Sequence, residues 1–81
     1  MTGVQPLHVF CHAVRLSCFG DQVAHLVEYV EENTEAIALG AEEAFEKTDV
    51  LAAHGVRMVH RVAVANSIHI QWGPHATTAL L

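Results

Sequence analysis

An α+β fold is what the sequence predicts: one small domain over residues 1–81, with an N-terminal apolar strand (or helix), a central helical region over about 21–54 and a C-terminal β-hairpin over about 56–72. Three observations lead there. Apolar or small residues fall at Val23, Val27, Val30, Thr34, Ile37, Ala41, Ala44, Thr48 and Leu51, spaced four and three in alternation, as on one face of a helix. Near the C-terminus the period changes, and Ile68-His-Ile-Gln-Trp72 alternates apolar with polar residues as a strand does. The chain is punctuated between these regions by sparse Gly, Pro and Asn rather than by a linker.

The first element is HVFCHAVRLSC, residues 8–18. As a strand it is apolar on both faces, as expected of a central strand covered on two sides, and its β-branched and aromatic content favours that reading. As a helix begun by Pro6, it puts Leu7, Phe10, Cys11, Val14 and Cys18 on one face and His8, His12 and Arg15 on another. The chemistry differs between the two. On a strand His8 and His12 stand about 13 Å apart and Cys11 points away from His12, so no local chelate forms. On a helix His8, Cys11 and His12 converge as soft ligands for zinc or copper. The sequence favours no metal site, and if there is one, these three residues are it.

Gly20–Asp21 breaks the chain, with glycine ending one element and aspartate capping the next. The helical region that follows is one long helix, or two that meet at Asn33–Thr34; a short strand over 35–41 is the remaining alternative. Gly40 weakens its middle by about 1 kcal/mol relative to alanine. Asp49 starts one further helical turn, which Gly55 stops.

From Val56 to Ala65 the chain is rich in valine, and Asn66–Ser67 serves as a two-residue hairpin turn before Ile68–Trp72, which Gly73–Pro74 ends. If that second strand is the outer edge, Ile68, Ile70 and Trp72 offer an apolar face and unpaired backbone to a neighbour. They are the expected interface residues, with Trp72 the anchor.

Composition bears on partners. Apolar residues make up 52% of the 81 positions and charged ones only 16%. A domain this small buries roughly 60–65% of its unfolded surface, which leaves apolar surface for another chain. Nine acids against four Lys and Arg give a net charge of −5, too few cations for a phosphate-binding stripe or an anionic membrane surface. Residues Ala36 to Phe45 have part of the spacing of a helix-turn-helix, but Glu46 and Asp49 stand where its apolar positions belong. No membrane-length apolar run and no basic leader segment occurs. Two cysteines are too few for a disulfide scaffold and point to a reducing cytoplasm. The seven histidines bring the net charge towards zero between about pH 7 and 5.5.

No nucleotide-binding, nucleophile-elbow or di-iron motif occurs, and a protein without enzymatic activity or cofactor is expected. The leading expectation is a non-enzymatic interaction module, a homo-oligomer or a small accessory subunit docking on a larger protein. The alternatives are a small zinc- or copper-handling protein using His8, Cys11 and His12, and a small enzyme or ligand-binding domain whose site forms across an oligomer interface.

Overall fold

The computed structural model describes residues 5–81, and among them every regular element is helical. In chain order these are α1 (Pro6–Ser17), a 3-10 turn (Gly20–Gln22), α2 (Val23–Glu32), α3 (Thr34–Lys47), α4 (Asp49–Ala65) and α5 (Pro74–Ala79). The fold is a small all-α bundle, and the α+β expectation is corrected. Residues 1–4, read above for a leader segment, lie outside the described residues.

The N-terminal apolar run is a helix, not a strand. Pro6 stands in its first turn, where a missing N–H goes unused. Its buried face is Val9, Phe10 and Ala13, rotated from the expected one, so Cys11 and Cys18 are exposed. After Ser17 the chain turns through Gly20–Gln22, and Asp21 makes no side-chain cap. Of the readings for the central region, two helices are what forms. The Asn33 side chain donates to the Tyr29 carbonyl at 2.8 Å and closes α2, while its own carbonyl accepts from Ile37 N at 2.8 Å and opens α3. No strand occupies 35–41. The seam holds at its centre, where Val30, Ile37, Ala41 and Ala44 are buried, but Val23 and Leu51 at its ends are exposed. The breaks at Asn33 and Thr48 reset the helical phase.

The hairpin is absent. Residues 56–65 complete α4, because Ala52, Val56, Val59 and Ala63 recur at helical spacing and all are buried. Burial of that seam outweighs the weak helix preference of its valines. Gly55 does not stop α4; it is buried inside it, and a Cβ there would come within 2.8 Å of Val14 Cγ2. Asn66–Ser67 ends the helix instead of turning a hairpin. Ile68 N bonds to Ala63 O at 2.8 Å and Ser67 N to Val64 O at 3.2 Å, the two bonds of a Schellman cap, with Ser67 in the left-handed region at φ 58°. Residues 68–72 then run across the helices with no partner strand. Ile70 points inward and His69 and Gln71 outward, so the alternation records burial without a sheet.

The core joins all five helices, and its main contact is α1 on α3. At the crossing Gly40 is buried, and a Cβ there would stand 2.0 Å from the Pro6 carbonyl oxygen and 2.8 Å from Phe10 Cβ. Backbone thus lies against backbone where the sequence alone shows a weak helix residue.

Gly40→Ala is therefore expected to destabilise the fold by more than about 2 kcal/mol in urea denaturation followed by circular dichroism. Helix propensity by itself gives the opposite sign, a gain of about 1 kcal/mol, so the direction of the change decides. Ser67→Gly relieves the left-handed residue and is expected to add about 1 kcal/mol in the same assay; a loss would contradict the Schellman cap.

Candidate functional site

The helical form of α1 brings His8, Cys11 and His12 to one side. They line a surface depression of about 380 Å³ together with Val9, Arg15 and Tyr29. The His12 ring stands edge-on to Tyr29, centroids 4.7 Å apart, and burial raises the Tyr29 hydroxyl above its ordinary pKa. Among the described residues, no three His, Cys, Asp or Glu side chains stand close enough together to hold a metal ion.

Ile68, Ile70 and Trp72 have no strand edge to occupy. Ile70 belongs to the core, and Ile68 and Trp72 pack partly buried against it. Trp72 Nε1 donates to His60 Nδ1 at 3.1 Å, which leaves the proton of a neutral His60 ring on Nε2. These side chains hold the 68–72 segment to its own helices.

Glu42 makes a contact that the sequence reading missed. It sits on the inner flank of α3 and reaches the start of α5. Its Oε2 accepts from Ala76 N at 3.0 Å, and its Oε1 accepts from His75 Nδ1 at 2.8 Å and from His75 N at 3.4 Å. The carboxylate caps a helix whose own N-cap, Gly73, has no side chain. A Cβ on Gly73 would lie 2.6 Å from Glu42 Cγ, so the glycine leaves room for the cap. Desolvation pushes the Glu42 pKa up, but the Ala76 and His75 hydrogen bonds and the imidazole charge outweigh it and hold the carboxyl below its ordinary value. The Glu42–His75 contact is structural, tying α3 to α5.

Two rows of exposed side chains run along the outer faces of α3 and α4. Val50, His54, Arg57, Arg61 and Val64 are exposed on α4 at intervals of four, three, four and three, hence one stripe. On α3 the exposed Glu35, Leu39, Glu43 and Glu46 share a second stripe. Val50 is 79% exposed and Leu51 69%. Leu51 borders an apolar cleft of about 250 Å³ between Phe10 and Val14 of α1, Ala44 of α3 and Ala52 of α4. Among the described residues no polar or charged side chain is buried, and no helix is long and apolar enough to cross a membrane. No family model, curated protein or solved structure matches the chain.

The lowered Glu42 pKa has a definite sign in stability. The unfolded chain takes up this proton at the ordinary carboxylate value, so the stabilisation is complete above that value and is lost as pH falls through the lower folded one. Glu42→Gln is expected to cost about 1 kcal/mol at neutral pH, and its thermal unfolding curve should merge with that of the parent in acid. A gap that persists unchanged to pH 2 would mean that the charge of Glu42 plays no part.

Proposed function

We propose that the chain is a non-enzymatic interaction module whose partner is another protein chain. The observation that supports this most directly is the apolar surface at the start of α4. Single exposed leucines and valines are ordinary on a protein surface. Here Leu51 lines an apolar cleft between three helices and the exposed Val50 is its chain neighbour, so apolar surface gathers at one place, the usual mark of a contact region. The fold has already used the inward faces of α1, α3 and α4 for its core, which leaves this patch for something outside it.

Charge supports a protein rather than a nucleic acid or a membrane surface. Arg57 and Arg61 are the only arginines on the α4 stripe, far fewer than phosphate-backbone binding uses. Cys11 and Cys18 are both exposed and unbonded, which suits a cytoplasmic setting.

The purified chain is expected to assemble in a concentration-dependent way at micromolar levels, as read by size-exclusion chromatography with light scattering. A Val50→Lys/Leu51→Lys double variant should keep the helical circular dichroism and melting temperature of the parent and shift towards monomer. A parent that remains an 8.8 kDa species at every concentration would remove the basis for the reading.

A further inference from the structure

Charge is divided sharply along this chain. All nine carboxylates lie between Asp21 and Asp49, with Lys47 the one cation among them. Nine acids against one lysine give that segment −8. The rest of the chain has three arginines and no carboxylate, hence +3, which together restore the net −5. The acidic segment forms the end of the 3-10 turn, α2, α3 and, with Asp49, the first residue of α4; Arg57 and Arg61 stand further along α4.

The monomer does not use this complementarity. Its single ion pair among the described residues is His75 with Glu42. No Lys or Arg there has a carboxylate within ion-pairing distance, and Arg57 makes only a long 3.4 Å hydrogen bond to the Ala79 carbonyl. Each outer stripe also holds exposed apolar side chains, Leu39 at 57% on α3 and Val50 and Val64 at 79% and 61% on α4.

We propose that the partner is a second copy of this chain, with the outer stripe of α4 in one copy seated along the outer stripe of α3 in the other. The proposal rests on the interaction-module reading and names its partner. Both stripes advance by threes and fours, so they mesh in register. With the helices antiparallel, Leu39 meets Val64, Glu43 meets Arg61 and Glu46 meets Arg57. With them parallel, Leu39 meets Val50, Glu43 meets His54 and Glu46 again meets Arg57. Glu46 with Arg57 is thus the pair common to both directions, and in each case an apolar contact at Leu39 lies two turns away along the stripe. A contact of α3 with α3 would set the acidic stripe against itself, which repulsion disfavours. Made twice about a two-fold axis, the contact closes a dimer; made once per copy, it extends a chain of copies.

The test uses the full chain and two charge reversals, Arg57→Glu and Glu46→Lys, with folding followed by circular dichroism. Sedimentation velocity at about 50 mM salt reads the assembly. Each reversal alone is expected to weaken self-association by about three- to tenfold, and mixing the two variants should restore assembly as a mixed species. Raising salt should weaken the parent as well. Where a reversal lowers helicity, the neutral Arg57→Gln and Glu46→Gln forms replace it, and each should weaken assembly less than its reversal does. Recovery on mixing supports the proposal. Variants that fail alone and also fail together overturn it. Assembly that ignores these charges but is lost in Val50→Lys/Leu51→Lys overturns it while leaving the interaction module standing. A parent that never assembles removes both.

Discussion

The contact of α1 with α3 at Gly40 governs the rest of the arrangement. Because the Pro6 carbonyl and Phe10 Cβ occupy the space a side chain at residue 40 would fill, the two helices come together backbone to backbone. That closeness places Val9, Phe10 and Ala13 against the small residues of α3 and leaves the far side of Phe10 to meet α4 at Gly55. The glycine is unfavourable for the helix taken alone, by about 1 kcal/mol. The many short contacts it permits between α1 and α3 outweigh that loss. With α1 so held, α4 has one place to lie, and the strap of 68–72 and α5 close over what remains.

Close approach of this kind needs small side chains, and seven of the fifteen buried apolar residues are alanines. Ala13, Ala38, Ala41, Ala44, Ala52, Ala63 and Ala76 are all buried, with four valines, Leu26, Ile37, Ile70 and Phe10 the larger members. Alanine permits tight helix packing but removes little apolar area from water per residue. The bulkier Leu39, Val50, Leu51 and Val64 stay outside. A chain rich in apolar residues therefore ends with a modest core and an apolar surface, and the two facts have one cause. Burying that surface between copies would add the stability that a small alanine core lacks.

Local signals of helix ends were readable from the residues: Pro6 opens α1, Asn33 divides α2 from α3, and a break does occur at Asn66–Ser67. The kind of element between them was harder to read. Val56 to Ala65 carries both a β-branched composition and a three-four spacing of Val56, Val59 and Ala63, and only the second matches the helix that forms. In Ile68–Trp72 the alternation is real as burial, yet a strand needs a partner and none of the described residues supplies one. The contact of Glu42 with His75 joins residues 33 positions apart, a distance over which spacing carries no information. The presumed interface at Ile68, Ile70 and Trp72 followed from the hairpin and lost its edge with it. By contrast, the separation of acids from arginines stands openly in the residue order, although the net charge conceals it.

Why that charge stays unneutralised follows from how the helices are turned. α3 and α4 each direct their small and apolar residues at α1 and at one another, which sends Glu35, Glu43 and Glu46 outward on one helix and Arg57 and Arg61 outward on the other. Stripes that face away from a shared core have no route to each other across it. Glu42 shows the contrast. One position before Glu43, it lies about 100° around α3, on the flank beside α5, and there it finds a partner. A rotation of one residue thus separates a carboxylate spent on the fold from carboxylates left for another molecule. The fold that hides the alanine seams is what keeps the complementary stripes apart within one copy and leaves both of them on its surface.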